Sequence, residues 1–68
     1  MDRSIHETMR LLAAGQTWVT ESGVSRKILE LKFTGAHCSV RYIGGREYVC
    51  HSHTFSAWVN TNKASKGV

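Results

Sequence analysis

Cysteine and histidine residues occur close together at two places in the sequence, and both residue types bind zinc. The segments are His37-Cys38 and Cys50–His53. Structural zinc sites usually draw their ligand pairs from tight turns with spacings such as Cys-x₂₋₄-Cys. Here Cys38 and Cys50 fall inside predicted strands, where successive side chains point to opposite faces. We therefore expect no bound metal or other cofactor, and the weak metal candidates are Cys38, Cys50, His51 and His53.

The same side chains suggest two further kinds of chemistry. A cysteine with a histidine base is a common nucleophilic pair, but a chain of 68 residues has little depth to enclose a substrate. Its five acidic residues form no paired-carboxylate, HExxH, Walker or glycine-rich phosphate motif. Free buried thiols are the commoner state of cysteine in a cytosolic core. The sequence therefore predicts a non-enzymatic protein with free thiols and no small-molecule substrate.

Basic residues are concentrated in the middle of the chain and could contact phosphates. From position 26 to position 46 there are five of them and a single acid, Glu30; the five are Arg26, Lys27, Lys32, Arg41 and Arg46. Phosphate backbones are bound largely through such sequence-independent charge, and single strands also stack on exposed aromatic rings. These five residues define a nucleic-acid hypothesis, with Trp18 and Tyr48 as the aromatic residues expected at the surface.

Three apolar residues fall on the outward side of the predicted sheet. Ile43 and Val49 lie on one predicted hairpin, and Ile28 lies on the neighbouring strand. Several apolar residues on one sheet face mark a protein interface, particularly beside an unprotected edge strand. Ile28, Ile43 and Val49 therefore define a protein-interface hypothesis, with another protein or a second copy of the chain as the partner.

A helix, a run of strands and a second helix must position these residues. The segment Ser4–Glu7 has the spacing of a capping box, which predicts an amphipathic helix over residues 4–14, ended by Gly15. The β-branched and aromatic residues that follow predict short antiparallel strands. The expected strands are Trp18–Val19, Lys27–Phe33, Cys38–Tyr42 and Glu47–Cys50.

The last hairpin has two candidate registers, which set Tyr42 opposite either Glu47 or Tyr48. We favour the pairing of Tyr42 with Tyr48, because it places the apolar residues of both strands on one face. A final short helix, capped by Ser52 or Thr54, then presents an apolar stripe to the sheet. The predicted fold is α+β, with an N-terminal helix, a four-stranded antiparallel meander that is strongly bent (SH3-like or small-barrel), and a short C-terminal helix.

Length and composition limit the class of protein. One compact domain is predicted over residues 1–60, followed by a flexible, polar and basic tail over residues 61–68. Hydrophobic residues make up 41% of the chain, as in folded proteins, and the net charge of +4 suits an anionic partner. Because no long apolar span or signal-peptide pattern occurs, we expect no membrane association and a cytoplasmic location.

Several short segments between about residues 15 and 59 together suggest a class of protein. They are Gly15–Trp18, Ser22-Gly23 followed by Arg26, Tyr42 with Tyr48–Cys50 across a glycine turn, and Phe55–Trp58. In these segments the chain resembles small uncharacterised proteins of tailed phages and prophages. The resemblance implies an intracellular accessory role in a bacterial host.

Three hypotheses follow from the sequence. The leading one is a phage- or prophage-encoded binding module that regulates a host or phage protein through protein–protein interaction, or that associates with itself. The alternative is a small basic domain that binds nucleic acid through the sheet face. A zinc-stapled domain is the third.

Overall fold

The computed structural model describes residues 4–67 and contains an open, five-stranded antiparallel sheet and two helices. The strands lie in the order β4-β3-β2-β1-β5. The elements are α1 (Ile5–Leu11), β1 (Thr17–Val19), β2 (Ser25–Thr34), β3 (His37–Gly44), β4 (Arg46–His51), α2 (Ser52–Thr61) and β5 (Ser65–Lys66).

The predicted α+β class, with an antiparallel sheet and a helix near each end, is confirmed. The four-stranded, SH3-like or small-barrel form is not, because the sheet has a fifth strand and does not close. The described residues do not include the first three positions of the predicted domain, residues 1–60. They also do not include the last position of the predicted tail, residues 61–68.

Helix α1 begins at the predicted cap. The Ser4 hydroxyl oxygen accepts a hydrogen bond from the Glu7 backbone N–H at 3.1 Å, and the hydroxyl donates to the Glu7 carboxylate at 3.3 Å. The helix ends at Leu11, earlier than predicted, because Leu12 takes an extended conformation and buries its side chain in the core. The Gln16 amide nitrogen donates to the orphaned Leu11 carbonyl at 2.8 Å, which satisfies the helix end.

The most consequential irregularity of the sheet is a β-bulge in β2. The pairing of β2 with β3 shifts between Ile28 and Glu30, so that Leu29 is an extra residue in the ladder. Because a bulge reverses the alternation of faces, Ile28 points toward the helices and is fully buried. The prediction that Ile28 lies outward is therefore wrong, since it extended a strict period of two through the bulge.

The predicted hairpin register is confirmed, with Tyr42 opposite Tyr48 and Val40 opposite Cys50.

Strands β1 to β3 and helix α2 bury their apolar side chains between one sheet face and the helices. The prediction that Trp18 reaches the surface is wrong, because its side chain is buried here, and its indole N–H donates to the Gln16 side-chain oxygen at 3.1 Å. The core consists of Leu12, Trp18, Ile28, Val40, Tyr42, Phe55, Val59 and Ala64.

The C-terminal region differs from prediction at both ends of α2. His51 occupies the N-cap position without a side-chain hydrogen bond, so the prediction of a Ser52 or Thr54 cap is wrong. After α2, Lys63 adopts a left-handed conformation (φ 50°), and the chain returns to pair Ser65 with Val19. Within the predicted tail, Ser65–Lys66 thus form an edge strand that the sequence did not predict. No helix within residues 4–67 is long and apolar enough to cross a membrane.

Candidate functional site

The two faces of the sheet have different environments. Both helices lie on the face that carries the core and the groove beside α1, which we call the helix face. No element within the described residues covers the other face, which we call the outer face. Alternation along the strands assigns side chains to each face. The outer face carries Lys27, Glu30 and Lys32 of β2, Ser39, Arg41 and Ile43 of β3, and Glu47, Val49 and His51 of β4.

Arg41 lies at the centre of the outer face between two carboxylates. Its Nη1 donates to Glu47 Oε1 at 3.0 Å, and its Nε lies 3.8 Å from Glu30 Oε1. The three residues come from three adjacent strands, so the ion pairs run across the ladder. Cross-strand pairs of opposite charge add modestly to sheet stability, and the two acids compensate the charge of Arg41 at this position.

Strand β4 is the longer of the two edge strands of the sheet, the other being the two-residue strand β5. It has a strand neighbour only on the β3 side in the described part of the chain, and all of its residues except the half-buried Cys50 are exposed. Val49 is 66% exposed and Tyr48 is 44% exposed, although valine is among the residues most often buried in proteins.

Ile43 extends this exposed region onto β3. It is 42% exposed and pairs with Glu47, which makes it a diagonal neighbour of Val49 on the outer face. An apolar pair on an uncovered face therefore borders the free edge of the sheet. We call this region the β4 surface; it consists of Ile43, Glu47, Tyr48, Val49 and His51.

Arg26 belongs to the helix face. Its guanidinium carbon lies 4.2 Å from the centroid of the Trp58 ring and 4.9 Å from that of Tyr42, distances typical of cation–π contacts. The Tyr42 ring in turn stacks on Tyr48, with centroids 5.4 Å apart. Arg26 thus joins β2, β3 and α2, and sequence reasoning missed this role because the bulge decides which face Arg26 occupies.

The structure does not bring the five predicted phosphate contacts together. Lys27, Lys32 and Arg41 lie on the outer face, where Arg41 is bound by carboxylates. Arg26 is half-buried between aromatic rings. Arg46 lies two residues before Tyr48 on β4 and therefore on the same face, the helix face. Of the three predicted interface residues, Ile43 and Val49 are exposed together, whereas Ile28 is in the core.

The cysteines and histidines also separate between the two faces. Cys38 and Cys50 are free thiols on the helix face, and His51 lies on the outer face, where its ring centroid is 5.9 Å from that of His37. His53 lies on α2. Among residues 4–67, no three His, Cys, Asp or Glu side chains are grouped closely enough to hold a metal ion.

Burial changes the acid–base properties of two groups near Arg26. Loss of hydration raises the pKa of the Cys50 thiol, and the positive charge of Arg26 opposes this rise only in part. Loss of hydration likewise raises the pKa of the Tyr42 hydroxyl, again with Arg26 in opposition. A thiol with a raised pKa is a poor nucleophile at neutral pH, so Cys50 is better suited to a packing role.

A groove between α1 and the β2–β3 hairpin is a feature that sequence reasoning missed. It has a volume of about 410 Å³, and its floor includes Leu31 and Phe33. Phe33 is 74% exposed because it lies on the helix face, beyond the region that the helices cover. The alternation of β2 indicated an apolar face, but not that the helices leave its Phe33 end uncovered. The groove is lined by His6, Met9, Arg10, Leu12, Leu31, Phe33, Cys38 and Ser52.

Comparisons with known proteins add no identification. No family model matches the chain, and no curated protein or solved structure matches it significantly. Its function therefore has to be inferred from the geometry of its own residues.

Proposed function

We propose that this chain is a small, non-enzymatic protein-binding module and that the β4 surface is its binding site. The observation that carries the proposal is the exposure of Val49, at 66%, in the middle of an edge strand whose other side has no strand partner within the described residues. Unpaired backbone groups along such an edge give affinity for an extended segment of a partner, and neighbouring side chains give specificity.

The composition of β4 supports this proposal. Proteins usually protect exposed edges with central lysines, prolines, bulges or a covering loop. Strand β4 has two charged residues that could protect its edge, and both, Arg46 and Glu47, lie at the start of the strand. Glu47 is also bound to Arg41 at 3.0 Å. The middle of the strand, Tyr48–Cys50, carries no charge. The edge is therefore open to pairing.

The nucleic-acid alternative has less support. Its strongest point is the exposure of Lys27 and Lys32 on the outer face. Against it, Arg41 is compensated by Glu30 and Glu47, and all six aromatic residues lie on the helix face, in its core or on α2, away from these lysines. A stacking platform beside the basic residues, which single-stranded nucleic acid needs, is therefore lacking among the described residues.

The biological setting is part of the proposal and rests on the resemblance to small phage and prophage proteins. In that setting the module acts in the cytoplasm of a bacterial host, and its partner is a host protein, a phage protein or a second copy. Its role is accessory or regulatory, because binding through an edge strand requires no chemistry.

Site-specific photocrosslinking tests the proposal. A photoreactive phenylalanine analogue at position 49 should give a discrete protein adduct in cells that express the chain. The matched control is position 24, because Val24 is also an exposed valine, at 52%, but lies in the β1–β2 turn. An adduct at position 49 and not at position 24 supports the proposal. No protein adduct at position 49, or the same diffuse adducts at both positions, contradicts it.

A further inference from the structure

The sequence of β4 is self-complementary about Val49, and this property identifies a partner. We propose that the β4 edge pairs antiparallel with the β4 edge of a second copy, with Val49 on the twofold axis. The proposal rests on the proposed function and specifies the partner of the same surface. It differs from that function in requiring a symmetric contact between identical chains.

Symmetry limits the registers that two copies of β4 can adopt. Antiparallel pairing of identical strands requires a twofold axis perpendicular to the sheet, so each outer face continues into the other outer face. Residues of the same face must then oppose each other, which leaves registers centred on one residue rather than between two. The candidate centres in the middle of the strand are Tyr48 and Val49.

The register centred on Val49 matches side chains of complementary character. Val49 opposes Val49 of the second copy on the uncovered outer face. Glu47 opposes His51 of the second copy, and the symmetry produces this acid–imidazole pair twice. On the helix face, Tyr48 opposes Cys50 of the second copy. The Glu47–His51 pair sets a carboxylate acceptor against an imidazole N–H donor, and the other two pairs place no charged group against an apolar one.

The register centred on Tyr48 would pair Tyr48 with Tyr48 of the second copy, a favourable aromatic contact, but its other pairs have poorer complementarity. It would place Glu47 against Val49 of the second copy and Arg46 against Cys50, so each charged group would face an apolar one. His51 would then oppose Gly45, which has no side chain. The Val49 register therefore fits the sequence better and predicts a continuous ten-stranded sheet with all four helices on one side.

Sedimentation equilibrium over a range of protein concentrations tests the proposal on the full chain. The wild type should form dimers, and Val49→Lys should weaken the dimer by more than about tenfold, because it buries two like charges at the axis. Val24→Lys, which adds the same charge at an exposed valine outside the seam, should leave the dimer unchanged. Circular dichroism checks that each variant is folded.

His51 tests the register. His51→Glu should weaken the dimer by placing a carboxylate opposite Glu47 of the second copy, and His51→Lys should preserve it. Because a negative charge at the N-terminus of α2 interacts favourably with the helix dipole, a weaker dimer of His51→Glu would not reflect weaker folding. Equal dimerisation of the two variants would overturn the Val49 register.

Three results would overturn self-pairing itself. The first is a wild type that stays monomeric at every concentration, and the second is a dimer that survives Val49→Lys. The third is a dimer that dissociates on Phe33→Ser instead, which would place the contact at the groove beside α1. A monomeric chain that still crosslinks to a different protein at position 49 would contradict self-pairing and leave the proposed function standing. Failure of both experiments would contradict both proposals.

Discussion

Arg26 lies over the Trp58 ring, with its guanidinium carbon 4.2 Å from the ring centroid, and connects the sheet to α2. Substitution Arg26→Ala removes this contact, the contact with Tyr42 and the cover that the arginine stem gives the rings. We expect the free energy of unfolding to fall by about 1–2 kcal/mol, measured by urea denaturation.

Lys27 provides the matched control for Arg26. It is the next residue in the chain but lies exposed on the outer face, so Lys27→Ala should change the free energy of unfolding by less than about 0.5 kcal/mol. Equal effects of the two substitutions would contradict the assignment of Arg26 to the helix face.

The bulge in β2 explains why this part of the fold could not be predicted. Leu31 and Phe33 alternate with Glu30 and Lys32 as expected for a half-buried strand, and their phase is correct. Nothing in the local sequence marks Leu29 as an extra residue, since bulges are often marked by glycine. The faces of Arg26 and Ile28 depend on this single residue. It separates Ile28 from the predicted interface and Arg26 from the predicted basic surface.

Two fully buried hydroxyl groups between α1 and α2 differ in hydrogen bonding. The Thr8 hydroxyl donates to Asn60 Oδ1 at 2.6 Å, whereas Ser56 Oγ has no hydrogen-bond partner within the described part of the chain. We expect Thr8→Val to lower the free energy of unfolding by about 1–2 kcal/mol, because it removes a buried hydrogen bond. Ser56→Ala should raise it by about 0.5–1 kcal/mol, because alanine removes an unsatisfied group and favours the helix. Thermal and urea unfolding would measure both changes, and the same sign for both would contradict this assignment.

Alkaline pH should weaken the fold through Cys50. Burial raises the pKa of its thiol in the folded state, so the folded protein holds the thiol proton more tightly than the unfolded chain does. This contribution to stability is complete below the ordinary thiol pKa, and it is lost as the pH rises from about 8.5 through the raised value.

The decline assigned to Cys50 can be separated from other alkaline effects. Cys50→Ala should make the free energy of unfolding less dependent on pH above about 8.5, whatever its effect at neutral pH. Tyr42→Phe should change the dependence only at higher pH, because tyrosine ordinarily titrates near 10.0. An unchanged slope in Cys50→Ala would show that the thiol is not buried as described.

Arg41 distinguishes the protein-binding account from the nucleic-acid alternative. Because Glu30 and Glu47 compensate its charge, we expect Arg41→Gln to leave any weak binding to DNA or RNA, and its salt dependence, unchanged. Fluorescence anisotropy at low and near-physiological salt would measure both. A salt slope that falls by about one unit on substitution would place Arg41 in a phosphate footprint and favour the alternative.

The features that local rules determine could be predicted from the sequence. The Ser4 cap, the Tyr42–Tyr48 register and the outward positions of Ile43 and Val49 follow from capping and strand alternation. Features that depend on tertiary contacts could not be predicted, because no local residue signals them. They include the pairing of β5 with β1, the burial of Trp18, and the exposure of Phe33 beyond the region that the helices cover.

The central claim is that the β4 edge binds a strand of a second copy, and amide hydrogen exchange of Arg46–His51 tests it most directly. Exchange should be compared in dilute and concentrated solution, for the wild type and for Val49→Lys, with β3 amides as the internal reference. The account predicts that the edge-facing amides of β4 exchange more slowly at high concentration in the wild type and not in Val49→Lys, because pairing gives them acceptors. Exchange of the wild-type β4 amides that does not depend on concentration would contradict the claim.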